Sequence, residues 1–310
     1  EFIHIILLDI PSYTSVLLAI STAPFVNFSL NKYIIVLGYL PFLLLILLYT
    51  FKLTRIFQIK REDSCLLCLA LLFLPGNFYL VRIYAEWVPQ SALVLMAVYY
   101  LYASKFFLIR KNTLLFGLAL ALNLANHLSG LVVLFFPTLI IFFYSFQLFF
   151  KQHGFRKKLL ENYLLLAAIF LSLLMISTLK NYGRYLGGVS EGYFYPFEEI
   201  LRNGVSTFVN FLVTLAPFRM EALFSFALLS FLHLFFFYLF FLKSEYQRYT
   251  KLFFGSWWLG SFIILCSLRY LRGLDIFWQF ISGADSVIFI SALSIKWLQR
   301  KKVRYELFLF

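Results

Sequence analysis

Charged residues are scarce in this chain, and their scarcity limits what kind of protein it can be. Only 13% of its 310 residues are charged, whereas 62% are hydrophobic and 21% are aromatic. A globular chain of this length needs many more charged surface residues to stay soluble as a monomer. The composition therefore predicts an integral membrane protein.

Several motifs and targeting features are also missing. Three cysteines cannot form a disulfide framework, and no two histidines have the spacing of metal ligands. The sequence has no P-loop, dinucleotide-binding glycine motif or serine-hydrolase elbow, which argues against soluble nucleotide chemistry. We identify no cofactor and no metal site, and a requirement for a divalent metal stays open. The sequence starts at Glu1 without a recognisable signal peptide, and we expect it to be truncated at its N-terminus.

Basic residues are abundant by comparison, and they are clustered. The net charge is +13, and 19 of the 27 lysines and arginines fall at the ends of apolar runs, at 52–61, 105–111, 151–158, 243–251 and 296–304. Cations beside apolar runs face anionic lipid headgroups, so we expect membrane lipids as partners and no nucleic acid. Because moving cations across a bilayer is unfavourable, all five clusters are predicted to face the cytoplasm.

Apolar runs between these clusters give the predicted fold. A crossing helix needs roughly 20 apolar residues. Two further stretches, 11–25 and 200–218, would break the charge rule if they crossed, and are predicted to lie in the outer interface. The fold class is therefore all-α: a polytopic transmembrane helix bundle of about nine spans plus two interfacial helices on the outer face. The spans lie at about 32–53, 64–81, 88–104, 112–126, 129–150, 162–179, 221–242, 252–268 and 276–296.

The sequence predicts a single membrane domain over 1–310, because no repeat, linker or low-complexity tract divides it. In order, it comprises an outer interfacial element (1–31), six spans (32–179), an outer loop with an interfacial helix (180–220), three spans (221–298) and a cytoplasmic tail (299–310).

A sparse set of ionisable residues falls in the predicted outer loops, where we look for chemistry. Arg82 and Glu86 are four apart and share a face if their stretch is helical; such groups near lipid mark a functional site by default, but an ion pair that stabilises the turn is the alternative. His127 lies in a tight turn before Gly130. It either faces the outer cavity or is an ordinary interfacial polar residue.

The last outer loop carries a second basic pair. Arg269 and Arg272 are three apart on one helical face, and two guanidinium groups there could clamp a phosphate. Asp285, further along the last span, is expected to pair with one of these arginines. The long loop at 180–202 mixes tyrosines with charges, which suits a sugar and equally suits an aromatic belt at the interface.

Four stretches carry a family resemblance in their order and spacing. They are LLDIPSYTSVLLAIS around Asp9, LFLPGNFYLVRIYAEWVPQSALVLMAVYYLY at 72–102, GLALALNLANHLSGLVVL at 117–134 and LRYLRGLDIFWQF at 268–280. Together they resemble the membrane glycosyltransferases of the GT-C superfamily, in the branch of protein O-mannosyltransferases and lipid A aminoarabinose transferases. In this resemblance Asp9 matches the carboxylate-and-proline element, Glu86 the acidic position of an outer turn, and His127 a position where the family often has lysine.

The resemblance implies a function that we carry forward as an expectation. A sugar would move from a polyprenyl-phosphate donor to a hydroxyl of an unknown glycan, lipid or protein acceptor. The site would face the periplasm or the exterior of a bacterial plasma (inner) membrane. The expected substrate-binding residues are Asp9, Arg82, Glu86, His127, Arg269 and Arg272.

One departure from the family is expected to matter. Family members carry the catalytic carboxylate in the outer loop after their first span, which would lie upstream of Glu1. The chain is therefore expected to lack that span and that base, as an inactive fragment of an enzyme or as a remnant. Two alternatives stay open: a transporter or flippase of a lipid-linked or anionic solute, and a non-catalytic membrane scaffold.

Overall fold

Helices account for nearly all of the structure, a computed structural model that describes residues 36–72, 87–126, 129–180, 223–267 and 275–301, with the isolated residues 21 and 24. Within these ranges the prediction of an all-α fold is confirmed. The helices are α1 (Leu40–Ile56), α2 (Arg61–Leu72), α3 (Trp87–Ala103), α4 (Arg110–Asn126), α5 (Ser129–Lys151), α6 (Arg156–Lys180), α7 (Leu223–Tyr238), α8 (Arg248–Ser267) and α9 (Asp275–Arg300).

Each predicted span overlaps one of these nine helices, but the helix bounds differ where cations flank an apolar run. Helix α6 begins at Arg156 and helix α8 at Arg248, several residues before the predicted spans, and α9 continues to Arg300. Lysine and arginine are good helix formers, and their long stems can lie along apolar surface while the charge reaches water. The helices therefore extend past the apolar runs. The two predicted interfacial helices, at 11–25 and 200–218, lie outside the described residues except for the isolated residues 21 and 24.

Length and composition support fewer membrane crossings than the nine predicted. In the described part of the chain, two helical segments, Leu37–Ile56 and Gly130–Lys151, are long and apolar enough to cross a membrane. Two shorter ones, Val88–Ala103 and Phe231–Lys243, are apolar as well. Helix α2 has only 12 described residues, about 18 Å at 1.5 Å per residue. Other helices begin with cations, which lower their mean hydropathy.

The closest helix packing joins α5 to α8. Pro137 lies inside α5 and has no N–H to bond to the carbonyl four residues earlier, at Val133. Gly260 of α8 lies against this carbonyl, since a Cβ at Gly260 would come within 2.7 Å of the Val133 oxygen. A small residue therefore allows the two backbones to approach, as in many membrane helix pairs.

Replacing Gly260 by alanine should destabilise the protein, because a backbone carbonyl cannot rotate away from the added methyl group as a side chain could. We expect the Gly260→Ala variant to lose about 1–3 kcal/mol of stability, measured as a lower Tm in detergent. Gly154→Ala is the matched control, because a Cβ at Gly154 meets nothing within 4 Å. Equal Tm values for the two variants would show that α5 and α8 are not in close contact.

Candidate functional site

Four of the five cation clusters meet at one end of the bundle around the loop between α1 and α2. The Lys296 ammonium of α9 donates a hydrogen bond to the Phe57 carbonyl of that loop. The Phe57 ring packs on Tyr102, at the end of α3, with centroids 5.1 Å apart. Tyr102 in turn bonds to Tyr249, at the start of α8, with 3.0 Å between the hydroxyl oxygens.

The remaining loops join the same end. In the α3–α4 loop, Phe106 packs against Tyr249, with ring centroids 5.3 Å apart. The neighbouring Phe107 carbonyl accepts a hydrogen bond of 2.6 Å from the Asn162 amide of α6. Lys301, after α9, donates to Glu245 of the α7–α8 loop at 2.5 Å. All five cation clusters therefore have described residues at one end of the bundle, which we call the basic end.

Some of these cations cap helices instead of remaining free. Lys251 of α8 donates to the carbonyls of Phe241 and Ser244, at 2.9 and 2.6 Å, where the helical turn after α7 ends. Arg156 of α6 donates to Phe149 near the end of α5, at 3.0 Å. The last carbonyls of a helix lack intrahelical partners and carry partial negative charge. Cations at the basic end therefore stabilise helix C-termini, a role that the charge pattern did not predict.

We predicted chemistry in three connections that the structure does not describe, between helix ends that lie away from the basic end. The α2–α3, α4–α5 and α8–α9 connections leave helices whose other ends lie at the basic end. Whether the side chains of the predicted site residues converge stays a prediction. These residues belong to the three connections or to the N-terminal stretch, and all lie outside the described residues. They are Asp9, Arg82, Glu86, His127, Arg269 and Arg272.

Deep inside the bundle, a hydrogen bond between ionisable and polar side chains connects α3 to α9. The Ser91 hydroxyl donates to the Asp285 carboxylate at 2.8 Å, and both residues are 1% exposed. Asp285 lies eleven residues before Lys296, about 16 Å from the basic end at 1.5 Å per residue. The sequence predicted an arginine partner for Asp285. The described partner is Ser91. Ser91 lies in an apolar run, and nothing in that stretch of sequence indicated a contact with Asp285.

Next to the predicted His127 turn, Asn123 is fully buried in α4. Its amide nitrogen donates to the Ala119 carbonyl at 2.9 Å. Its Oδ1 atom has no hydrogen-bond partner in the described structure, and a Cβ at Gly130 would come within 2.4 Å of this atom. Asn123 and Gly130 thus pack closely where α4 and α5 approach the turn.

At the basic end, two ionisable residues of the α7–α8 loop have shifted pKa values. The Lys301 ammonium, which hydrogen-bonds to Glu245, lowers the pKa of that carboxyl. Burial raises the pKa of Tyr246, whose hydroxyl donates to the Leu293 carbonyl of α9 at 3.1 Å. Across the ranges that the structure describes, no group of three or more His, Cys, Asp or Glu residues is placed to hold a metal ion.

Breaking the Ser91–Asp285 bond should weaken the contact between α3 and α9. In a double-mutant cycle of Ser91→Ala and Asp285→Ala, we expect a coupling energy of about 0.6–1.7 kcal/mol, the range known for hydrogen bonds between membrane helices. Thermal unfolding of the four proteins in detergent measures it. Ser172→Ala is the control, because that exposed hydroxyl bonds within its own helix, to Ala168 at 2.7 Å. If the stability losses of the two single variants add up to that of the double variant, the two side chains do not stabilise the protein through this hydrogen bond.

Comparison with protein-family models, curated proteins and solved structures finds no match to this chain. The resemblance to GT-C glycosyltransferases therefore stays a prediction from the four sequence stretches, and no family is assigned.

Proposed function

We propose that the chain is a polytopic membrane protein with nine crossings, two interfacial helices on the outer face and its basic end in the cytoplasm. The observation that carries this proposal is the meeting of all five cation clusters at one end. Helices that cross in alternating directions place every second connection on the same side, and cations are retained on the cytoplasmic side. The connections with the predicted site residues would then face outward.

Exposed apolar side chains support the membrane placement. Helix α5 exposes a stripe of large hydrophobic residues, with Phe143 57% and Phe135 54% exposed. Similar exposure occurs at Leu44 of α1, Leu164 of α6 and Phe231 of α7, each more than 60% exposed. Extended apolar faces of this kind are rare on soluble monomers and are typical of surfaces that contact lipid or another protein. We assign these faces to lipid.

Cysteine labelling in intact cells tests the orientation. In a cysteine-free background, single cysteines at Lys105 and Gln152, both exposed at the basic end, should react with a membrane-impermeant thiol reagent only after permeabilisation. A cysteine at Ser190, in the predicted outer loop, should react in intact cells. Reaction of all three positions without permeabilisation would contradict a cytoplasmic basic end.

For the outer face, we propose transfer of a sugar from a polyprenyl-phosphate donor to a hydroxyl acceptor. The support is the GT-C-like order of the four stretches, together with the position of the helix ends next to three of them. A carboxylate would remove the acceptor proton as its oxygen bonds to the sugar's anomeric carbon. The bond from that carbon to the phosphate oxygen breaks, and Arg269 and Arg272 would stabilise the departing phosphate. Arg82 and His127 would contact phosphate or sugar, and Asp9 and Glu86 would orient these groups or the acceptor.

Removing both arginines should reduce transfer strongly if they bind the leaving phosphate. In the full-length protein, we expect the Arg269→Ala and Arg272→Ala double variant to lose 100-fold or more of its transfer rate, on the order of what one oxyanion donor contributes. Transfer is measured with a panel of polyprenyl-phosphate sugars. Arg55→Ala is the control, because Arg55 is exposed at the basic end. An unchanged transfer rate in the double variant would show that Arg269 and Arg272 do not stabilise the departing phosphate.

A transporter or flippase of a lipid-linked or anionic solute is the second candidate, and the buried Asp285 favours it. Carboxylates inside a membrane often mark ion or proton paths, and this one lies at the depth of the bilayer centre if the basic end is at the cytoplasmic surface. An Asp285→Asn variant separates the candidates: a transferase should retain activity, whereas transport that depends on this carboxyl should stop.

A further inference from the structure

A cleft at the basic end is lined by residues that the proposed transferase does not use. It lies between the α7–α8 loop and the last turn of α9, with a volume of about 270 Å³. Pockets for drug-sized ligands are larger, roughly 300–1,000 Å³, so the cleft suits a small polar group. Its lining residues are Glu245, Tyr246, Trp297, Arg300 and Lys301.

The charges of the cleft favour an anion. Lys301 is paired with Glu245 at 2.5 Å, whereas Arg300 has no hydrogen bond or ion pair to another residue of the described structure. Unlike Lys251 and Arg156, it caps no described helix. A guanidinium group can hold two phosphate oxygens at once. With two cations and one carboxylate, the cleft has a net charge of +1, which matches the single negative charge of a phosphodiester.

Two aromatic side chains complete the lining. Trp297 lines the cleft, and its Nε1 atom is buried without a hydrogen-bond partner among the described residues. The Tyr246 hydroxyl donates to Leu293, which fixes the position of its ring. Tryptophan, tyrosine and basic side chains are enriched where membrane proteins meet lipid headgroups.

Exposed apolar side chains that precede the cleft residues in sequence favour a lipid over a free anion. Leu242, three residues before Glu245, is 73% exposed, and Tyr238, one turn earlier, is 45% exposed. An acyl chain could lie along this face while its headgroup occupies the cleft. A soluble anion would make no use of the apolar surface.

We propose that this cleft binds the phosphodiester group of an anionic phospholipid from the cytoplasmic leaflet. The inference rests on the membrane placement proposed above and is independent of the transferase activity. Basic pockets between helices on the cytoplasmic side are known to bind anionic lipid headgroups.

Native mass spectrometry of the full chain in detergent, titrated with phosphatidylglycerol or phosphatidylcholine of the same acyl chains, tests the proposal. We expect the protein to bind phosphatidylglycerol more tightly than phosphatidylcholine. The Arg300→Gln variant should bind phosphatidylglycerol about five-fold more weakly, because one cation near a membrane surface contributes about 1 kcal/mol. The double variant Lys157→Gln and Lys158→Gln is the matched control, because these exposed cations lie at the same end, outside the cleft. It should bind as the unaltered protein does.

Glu245→Gln gives a test with the opposite sign. Removing the carboxylate frees Lys301 and raises the net charge of the cleft, so the affinity for phosphatidylglycerol should increase several-fold. A merely structural ion pair would not produce this gain.

Three results would overturn the proposal. They are equal affinity for the two lipids, equal losses in the Arg300 and Lys157/Lys158 variants, and full displacement by glycerol phosphate, which would indicate a soluble anion. Failure of the membrane placement is detected separately, by release of the protein from membranes in alkaline carbonate. Failure of the transferase proposal leaves lipid binding unchanged.

Discussion

Under the membrane placement proposed above, the free energy needed to move a cation across a bilayer is the constraint on which the rest of this structure depends. It explains why five separated clusters meet at one end of the bundle. The same end collects the C-termini of α1, α3, α5, α7 and α9, whose last carbonyls carry partial negative charge. Lys251, Arg156 and Lys296 bond to such carbonyls or to the loop that follows. One set of charges thus serves both orientation and helix capping.

In the proposed membrane setting, packing must hold the helices together, because lipid tails are as apolar as the helix surfaces and the hydrophobic effect between helices is weak. The contact of Gly260 with the carbonyl that Pro137 leaves free shows how closely α5 and α8 approach. Hydrogen bonds between hydroxyl groups, such as that between Tyr102 and Tyr249, fix which helix ends meet at the basic end. The Ser91–Asp285 bond connects α3 to α9 deeper in the bundle.

Periodic features of the sequence predicted the all-α fold, whereas the number of crossings is supported for only two of the described helices and the predicted site residues stay untested. Apolar runs set off by cation clusters predicted a helix in each of nine stretches, because run length and charge position are visible in the sequence. Helix α6 starts earlier than predicted, at Arg156, because the basic residues before the apolar run are good helix formers. Ser91 was not predicted as a partner of Asp285, because a serine in an apolar run has no distinguishing pattern and only the packing of α3 on α9 brings the two together. Whether an arginine also pairs with Asp285 stays a prediction. The predicted outer residues lie outside the described ranges, so their convergence rests on sequence reasoning.

Under the same proposal, the end opposite the basic end would face outward, and a few ionisable groups there would act on a lipid-linked substrate. A structure determined by electron cryomicroscopy in a lipid nanodisc tests this account most directly. We expect nine helices to cross the disc, with the five cation clusters on one side and Arg82, His127 and Arg272 lining one cavity on the other. Cation clusters on both sides of the disc, or these three residues in separate places, would contradict it.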